Sequence, residues 1–411
     1  MKYDLVVIGG GPAGMMAAGR AGELGARVLL LEKNWRLGNK LLITGKGRCN
    51  ITNDIENVRQ MTEHFGVNGR FLFSALNNFG PEDIIEFFNN KGVKTKTERG
   101  LRVFPESDKS EDVLNALISY LENSSVEVRT NMEVETILKE GKKIEKIIMV
   151  NGEEIEAENF LIATGGKSYS ETGSTGDAYK WLEDLGHKIV KPIPSLTPIR
   201  VREKIVRDLE GLSLKNVEIS LYKDNKKIDS RFGEALFTRS GMSGPIILDM
   251  SKKIVEEGIE DIVMKIDYKP SLDFATLDKR IQEDFSESNN KMFKNSLANL
   301  LPQKLVPVII DLSEIDPDKK VNSVSKAERS VLLHLLKEFK LHISDVVGFP
   351  KSIVTAGGVE LSEVNSKTMK SRIIDNLYFA GEVLDLDGPT GGFNLQICWS
   401  TGFAAGSYLI N

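Results

Sequence analysis

The stretch YDLVVIGGGPAGMMAAGRAGELGARVLLLEK, residues 3–33, decides the fold of this chain. It begins as a hydrophobic strand, passes through a glycine turn into a helix, and ends as a second hydrophobic strand closed by Glu32. Gly9, Gly11 and Gly14 stand at G-x-G-x-x-G spacing, and Glu32 follows Gly14 by 18 positions, close to the roughly 20 expected of a ribose-binding acid. The stretch therefore predicts a dinucleotide site in a Rossmann-like domain.

Each residue of this motif has its own physical task. Gly9 permits the tight turn, Gly11 lets the main chain approach a pyrophosphate, and Gly14 lets the helix pack close to the sheet. The free N–H groups at the start of the helix face the anion. Glu32 can accept hydrogen bonds from both ribose hydroxyls, and its charge disfavours a 2′-phosphate, hence NADP, at this site. We disfavour the alternative, a glycine turn without a ligand, because strand, amphipathic helix and acid are all in place.

Composition limits the class of protein. The 411 residues are 41% hydrophobic and 27% charged, which is ordinary for a globular protein of two or three domains. The net charge of -5 makes nucleic acid an unlikely partner, although a local basic patch is compatible with it. No apolar run approaches the roughly 18 residues of a membrane span, and no signal peptide precedes the first strand, so we expect no membrane partner and a cytoplasmic location. The sequence does not indicate the oligomeric state.

Metal and disulfide chemistry have little support. Cys49 and Cys398 are the two cysteines of the sequence and form no C-x-x-C pair, so neither a structural zinc site nor a pair of redox cysteines is expected. The four histidines, His64, His187, His334 and His342, share no short spacing. We therefore predict no metal site and interpret the histidines as surface or structural residues.

The chain is predicted to contain an interrupted nucleotide domain. Residues 1–191 form its first part, and prolines in PIPSLTP mark the end of it. Residues 192–271 alternate as in antiparallel strands, with KDNKK (223–227) as a hairpin turn, and are predicted to form a β-rich domain. Residues 272–345 are polar and helical, with a capping box at Ser325, and are predicted to form a small helical domain. Residues 346–411 return to the nucleotide domain.

The segment NLYFAGEVLDLDGPTGGFNLQICWSTGFAAGSYL carries a second signal. Its strand delivers Glu382 and Asp385 to the carboxyl edge of the sheet, and Gly391 and Gly392 open the last helix. Open α/β sheets bind their ligands at this edge. A flavin can use an acid for its ribityl hydroxyls and a helix N-terminus for the negative charge of its reduced ring. The alternative is an ordinary final strand and helix joined by a glycine-rich turn.

Together with the opening motif, the segments TGKGRCNITN, ATGG, SGMSGP, TAGGV and AGEVLDLDGPTGGFNLQ resemble the BaiN/YhiN-like FAD-dependent flavoproteins. The resemblance spans nearly the whole chain, and GRCN and GPTGGFN are far more specific than a nucleotide motif. It implies an α/β fold in which a Rossmann-like, glutathione-reductase-like FAD-binding domain is interrupted by a β-barrel-like domain and a helical domain. Family members are linked to aminoacetone oxidation and to reduction of steroid-ring double bonds in bile acid intermediates.

The resemblance assigns cofactor residues in four parts of the chain. Residues 9–14 would hold the pyrophosphate, and residues 32–33 would face the adenosine ribose. Residues 40–50 would approach FAD from the opposite side, while the ATG segment and the late glycine turn complete the site. The residues carried over are Gly9, Gly11, Pro12, Ala13, Gly14, Glu32, Lys33, Lys40, Thr44, Gly45, Arg48, Cys49, Asn50, Ala163, Thr164, Gly165, Gly381, Glu382, Gly392, Asn394 and Leu395.

No catalytic residue can be assigned from the sequence, because a flavin performs the redox step itself. Cys49 is a candidate since Lys46 and Arg48 could stabilise its thiolate, but we favour a buried packing role. Asp385 is a candidate acid or base, with a structural role in the loop as its alternative. Cys398 is interpreted as part of the helical core.

The leading functional hypothesis is an FAD-dependent oxidoreductase that acts on a small organic substrate through flavin N5. Oxygen and NAD(P)H both stay open as redox partner. ATGG is no second G-x-G-x-x-G motif, so NAD(P)H could bind only transiently. The alternatives are a flavin-binding structural or sensing module with an RNA or protein partner, and a plain NAD dehydrogenase.

Overall fold

A computed structural model describes residues 2–287 and 289–409 of the chain. These residues fall into two compact units. Met1–Ser195 and Phe349–Asn411 together form the first unit, and Leu196–Gly348 forms the second. The first unit is therefore built from both ends of the chain.

The helices and strands are numbered separately in chain order. The helices are α1 (Pro12–Glu23), α2 (Asn39–Ile43), α3 (Val58–Glu63), α4 (Gly69–Asn78), α5 (Pro81–Asn90), α6 (Ser110–Asn123), α7 (Asp177–Leu185), α8 (Pro245–Glu257), α9 (Phe274–Glu287), α10 (Val306–Ser313), α11 (Lys326–Lys337) and α12 (Phe393–Tyr408). The strands are β1 (Tyr3–Ile8), β2 (Val28–Leu31), β3 (Thr52–Asn53), β4 (Thr95–Glu98), β5 (Arg102–Pro105), β6 (Glu127–Arg129), β7 (Val134–Glu140), β8 (Lys143–Met149), β9 (Glu154–Ile155), β10 (Ala157–Ile162), β11 (Ile189–Ser195), β12 (Ile199–Val201), β13 (Ser213–Lys223), β14 (Lys226–Thr238), β15 (Gly241–Ser243), β16 (Val263–Asp267), β17 (Phe339–Val346), β18 (Val354–Val359) and β19 (Leu377–Phe379).

The first unit is organised by a five-stranded parallel sheet. Its strand order is β19-β10-β1-β2-β6. All four residues of β2 are buried, as a parallel sheet covered on both faces requires. The first unit also contains three smaller antiparallel sheets, β3-β5-β4, β7-β8-β9 and β11-β18.

The two sequence-distant helices α1 and α12 pack against each other through small residues. A Cβ atom at Gly402 would lie 2.6 Å from the carbonyl oxygen of Ala13, and one at Gly406 would lie 2.5 Å from that of Ala17. Glycine at both positions of α12 therefore permits a close approach of the backbones. This contact joins the last helix of the chain to the first.

Because the central strands are parallel, their carboxyl ends meet at one edge of the sheet. Strands β1, β2, β10 and β19 deliver the segments that follow them to this edge, and the amide of Ala163 donates to the carbonyl of Ile8 at 2.8 Å. The glycine turn, Glu32, the ATG segment and Glu382 are thereby brought together.

The second unit contains a closed six-stranded barrel with strand order β12-β15-β14-β13-β16-β17. Strands β12 to β16 precede most of the helical segment, and β17 follows it to complete the barrel. Helices α8 to α11 belong to the same compact unit. The predicted fold class, a Rossmann-like α/β domain interrupted by β-barrel and helical parts, is confirmed.

Candidate flavin site

A cavity that is partly open to solvent lies at the carboxyl edge of the parallel sheet. Residues from several distant segments of the first unit surround it. Among the residues predicted from sequence to hold a cofactor, those that line the cavity are Gly9, Gly11, Pro12, Ala13, Glu32, Lys40, Thr44, Ala163, Thr164, Gly165, Glu382, Asn394 and Leu395.

The three motif glycines have different surroundings. Gly9 has φ +112°, and a Cβ atom there would lie 2.5 Å from the carbonyl oxygen of Ala163. A Cβ atom at Gly14 would lie 1.9 Å from the carbonyl oxygen of Gly9, whereas one at Gly11 would meet no atom within 4 Å. Packing of the protein thus demands glycine at Gly9 and Gly14. At Gly11 the free space belongs to the cavity.

The carboxylate of Glu32 is fixed at one side of the cavity. Its Oε2 accepts a hydrogen bond from the amide of Gly10 at 2.8 Å, and its Oε1 accepts two from the backbone and side chain of Asn34 at 2.8 and 2.6 Å. A carboxylate has about four acceptor positions. Three are used by the protein, which leaves Glu32 room for roughly one further donor such as a ribose hydroxyl.

Lys33 turns to a neighbouring loop and does not line the cavity. Its Nζ donates to Thr175 Oγ1 at 2.6 Å and pairs with Asp177 Oδ2 at 2.5 Å. Asn34, which the sequence prediction did not include, lines the cavity and donates through Nδ2 to the carbonyl of Thr172 at 3.2 Å. The loop around Thr172 is thereby held beside Glu32.

In the segment that follows β2, Lys40 in α2 and Thr44 just after it line the cavity. The residues of this segment that were predicted from sequence and do not line it are Gly45, Arg48, Cys49 and Asn50. Arg48 forms ion pairs with Glu98 and Asp108, and its guanidinium lies 4.1 Å from the ring centroid of Phe104. Its charge is therefore engaged with β4, β5 and the turn after β5.

The Cys49 thiol is fully buried. Burial raises its pKa to about 12, and a hydrogen bond with Thr44 opposes this only in part. A thiol with so high a pKa stays protonated at neutral pH and is a poor nucleophile. Burial away from solvent thus favours the packing role for Cys49.

Asn50 and Asn394 hold the glycine turn before α12. With the Asn50 amide oriented so that its nitrogen faces the carbonyls of Val103 and Thr52, its oxygen accepts from the Gly392 amide at 3.0 Å. Asn394 bonds the amide and the carbonyl of Gly388, each at 2.8 Å. Both asparagines therefore fix the start of α12.

Gly392 and Gly381 do not line the cavity, and each allows a close contact beside it. A Cβ atom at Gly392 would lie 2.3 Å from the Thr52 carbonyl, and one at Gly381 would lie 2.8 Å from Ala13 Cβ. Both residues have positive φ, +101° and +76°. They bring β3 against the late turn and α1 against the end of β19.

Glu382 lies in the cavity wall within a polar cluster. Its Oε2 pairs with Lys40 Nζ at 2.6 Å, and its Oε1 accepts from Ser168 Oγ and from the amide of Thr355, both at 2.8 Å. Asp385 does not line the cavity. Its Oδ1 accepts from the Gly357 amide at 3.0 Å, so its carboxylate supports strand β18.

Sequence reasoning missed residues that only the folded chain brings to the cavity. They are Asn34, Gly38, Asn39, Leu41, Thr172, Gly173, Ser174, Ile353, Val354, Ala380, Leu386, Ile397 and Cys398. The apolar periodicity of α12 predicts that Ile397 and Cys398 face the protein core. It does not show that these two residues contact a ligand cavity. Burial raises the pKa of the Cys398 thiol to about 12, so it too stays protonated near neutral pH.

The cavity fits a flavin dinucleotide. Thr164 Oγ1 is buried in its wall and has no hydrogen-bond partner within the described chain. A buried hydroxyl without a partner is costly, and a ligand would satisfy it. Leu386, Leu395 and Ile353 offer apolar contacts for a ring system, and the space at Gly11 lies at the start of α1, where an anion is favoured.

Within residues 2–287 and 289–409, no group of three or more His, Cys, Asp or Glu side chains is arranged to hold a metal ion. None of the helices in these ranges has the length and apolar character needed to cross a membrane.

The fold and the cavity define a flavoprotein with a Rossmann FAD-binding domain. The chain belongs to the HI0933-like family, because the family profile described as "HI0933-like protein Rossmann domain" matches residues 3–408. This is the family of the BaiN/YhiN-like flavoprotein oxidoreductases, and membership implies FAD. The resemblance inferred from sequence motifs is thereby confirmed.

Relatives and a solved structure agree with this assignment over the whole chain. The 3-dehydro-bile acid delta(4,6)-reductase of Clostridium scindens is 30% identical over 405 residues, covering 97% of each chain. The ribosomal RNA dihydrouridine synthase of Escherichia coli is 30% identical over 410 residues, covering 100% of this chain and 98% of that protein. An open flavocytochrome c3 fumarate reductase aligns with a TM-score of 0.55 at 14% identity, over 100% of this chain and 78% of that one, which supports the fold alone.

Proposed function

We propose that this chain is an FAD-dependent reductase that adds two hydrogens across a carbon–carbon double bond conjugated to a carbonyl group. The observation that carries the proposal is that two full-length relatives with chemically different substrates have names that imply this one reaction. Dihydrouridine is formed from uridine by reduction of the C5=C6 double bond, which is conjugated to a carbonyl group. A delta(4,6) double-bond system is likewise conjugated to a 3-oxo group.

The residues of the cavity suit this chemistry. Bound FAD would supply the hydride acceptor and donor at flavin N5. The backbone at Gly11 and the start of α1 would hold its pyrophosphate, and Glu32 would accept a hydrogen bond from its ribose. Glu382 would accept from a ribityl hydroxyl, while Leu386 and Leu395 would exclude water from the ring.

Two substrate classes follow from the relatives. The net charge of -5 favours a small, uncharged enone over a polyanion, and the second unit contains as many acidic as basic residues. A uridine within RNA is the second candidate, because a relative that covers the whole chain is named a ribosomal RNA dihydrouridine synthase. We place the small enone first.

The electron donor is proposed to be NADH or NADPH in transient contact with the flavin. The first unit has one G-x-G-x-x-G turn, at Gly9–Gly14 in sequence, and its space is assigned to FAD. A nicotinamide nucleotide therefore has no dinucleotide turn of its own in this unit. It would bind beside the flavin, transfer its hydride and dissociate before the substrate binds. Oxygen as an acceptor for oxidation of an amine is the competing redox direction.

The test is anaerobic stopped-flow reduction of the purified FAD-loaded protein. NADH or NADPH is expected to bleach the flavin, and a 3-oxo-4-ene steroid or a uridine-containing ribosomal RNA fragment is expected to restore its colour. Product mass increased by two hydrogens would identify the substrate class. Bleaching by an amine but by neither nicotinamide would support an oxidase instead. A flavin that stays oxidised with every donor would favour a structural or sensing role.

A further inference from the structure

Lys40 and Glu382 form an ion pair in the wall of the cavity. Lys40 Nζ lies 2.6 Å from Glu382 Oε2 and donates to Ser168 Oγ at 2.7 Å. Ser168 Oγ in turn donates to Glu382 Oε1 at 2.8 Å. The side chains of Lys40 and Glu382 are only 22% and 16% exposed. The pair and its bridging serine thus form one small, mostly buried charge cluster.

The hydrogen-bond acceptors of Glu382 are almost all used within the cluster, whereas Lys40 keeps one N–H donor without a partner in the described chain. Glu382 accepts from Lys40, from Ser168 and from the amide of Thr355, so at most about one of its four acceptor positions stays open. The ammonium group of Lys40 has three N–H donors. Glu382 and Ser168 take two of them, and no third acceptor is found in the described chain. Both Lys40 and Glu382 line the cavity.

The stability of the fold does not explain this arrangement. Removing two ions from water costs desolvation energy that their attraction often fails to exceed, so a buried ion pair is a weak stabilising device. A carboxylate in the wall of a flavin cavity also opposes the negative charge that two electrons and one proton leave on a flavin. An ammonium group at 2.6 Å from that carboxylate offsets this opposition.

We propose that Lys40 sets the reduction potential of the bound flavin. It neutralises Glu382 and directs its remaining N–H to the cofactor, so that Glu382 can hold a ribityl hydroxyl without disfavouring flavin reduction. This proposal rests on FAD occupying the cavity, but it is independent of the substrate.

The experiment compares the two-electron reduction equilibria of bound FAD in charge variants, each measured against a dye of known potential without substrate. In Lys40→Met the equilibrium constant for reduction is expected to fall about tenfold or more, which is about 30 mV for two electrons. Lys40→Arg keeps the charge and is expected to stay within about threefold of the parent. Glu382→Gln is expected to shift the equilibrium the other way, and Lys40→Met/Glu382→Gln to return it towards the parent value.

A matched control comes from the second unit. Lys265 and Glu338 form an ion pair at 2.9 Å with side chains 24% and 34% exposed, and neither lines the cavity. Lys265→Met is expected to leave the flavin potential unchanged. An equal shift in this variant would show that the effect of Lys40 is not local, and would overturn the proposal.

The result that directly overturns the proposal is a Lys40→Met protein that holds FAD with the potential of the parent. If Lys40→Met does not retain FAD, Glu382→Gln carries the test, and an unchanged potential in that variant has the same meaning. Because no substrate or nicotinamide is present, failure of the proposed reductase activity would leave these shifts intact. The two proposals can therefore fail separately.

Discussion

Gly11 and Gly14 lie three positions apart at the start of α1, yet the spaces beside them are opposite in character. A Cβ atom at Gly14 would lie 1.9 Å from the carbonyl oxygen of Gly9, while one at Gly11 would meet nothing within 4 Å. Gly11 also has φ -81° and ψ -177°, an extended conformation that any residue can adopt. The fold therefore needs glycine at Gly14, whereas nothing in the protein requires it at Gly11. We attribute the glycine at Gly11 to the ligand.

This contrast predicts different outcomes for the same substitution. Gly11→Ala is expected to keep or slightly raise the stability of the FAD-free protein, by about 0.5 kcal/mol, and to weaken FAD binding by about tenfold or more. Gly14→Ala is expected to lose several kcal/mol of unfolding free energy, because backbone atoms must move. Urea unfolding of FAD-free protein and FAD titration measure the two effects. Equal FAD affinity of Gly11→Ala and the parent would contradict the pyrophosphate assignment.

Cys49→Ala is expected to leave FAD bound and turnover nearly unchanged, with a loss of about 1 kcal/mol of stability from the missing sulfur. The physical reason is that the Cys49 thiol is buried away from the cavity and its pKa is raised to about 12. Cys398→Ala is the matched comparison, since Cys398 lines the cavity and its replacement should change FAD affinity. A large loss of turnover in Cys49→Ala with intact flavin would assign Cys49 a chemical role.

Local sequence signals predicted the local structure well. The capping box at Ser325 forms, with the Ser325 amide donating to Glu328 Oε2 at 2.7 Å and the Glu328 amide donating to Ser325 Oγ at 3.2 Å. The predicted hairpin turn at residues 223–227 is present, with positive φ at Asp224 and Asn225. Such features depend on residues within a few positions of each other, which is why a single sequence reveals them.

Features that depend on distant segments were beyond the sequence. The ion pair of Lys40 with Glu382 spans 342 positions, and neither residue indicates the other in a linear pattern. Thr172 reaches the cavity because Asn34 binds its carbonyl. The barrel likewise takes β17 from beyond the helical segment, and no local period marks that return. Tertiary packing, which local propensity does not encode, decides these contacts.

Asp385→Asn is expected to alter stability but not the pH profile of turnover. Asp385 Oδ1 accepts from the Gly357 amide at 3.0 Å and Oδ2 accepts from Asn68 Nδ2 at 3.1 Å. The carboxamide that replaces the Asp385 carboxylate must turn its nitrogen towards one of these two N–H donors. The lost hydrogen bond lowers the free energy of unfolding by about 1–3 kcal/mol. Steady-state kinetics across pH would show the parent profile at reduced stability. Loss of one limb of the profile would instead identify Asp385 as a proton-transfer group.

Stability should fall in mild acid because of His187. Its side chain is buried between Glu363 Oε2 at 3.0 Å from Nδ1 and Ser371 Oγ at 2.9 Å from Nε2. Burial lowers the pKa of His187 below the ordinary value of 6.5, although Glu363 acts in the opposite direction. As the pH falls below about 6.5, the unfolded chain therefore binds the proton first. The contribution of His187 to the free energy of unfolding is therefore fully present above that pH. It declines below that pH, by at most about 1.4 kcal/mol per pH unit.

Urea unfolding of the FAD-free protein between about pH 7.5 and pH 5 measures this decline. His187→Asn is expected to be less stable at neutral pH but to have a flatter pH dependence. The exposed His334 on α11 supplies the control, because His334→Asn should retain the slope of the parent. Parallel curves for the parent and His187→Asn would rule out His187 as the source.

Native mass spectrometry of the purified protein tests the central claim most directly, namely that the turn at Gly11 and the segment at Glu382 enclose a single flavin dinucleotide. The parent is expected to carry one FAD per chain, and a folded Gly11→Val protein is expected to carry none, even after incubation with excess FAD. A parent protein that takes up no FAD, or a Gly11→Val protein that retains it fully, would contradict the account.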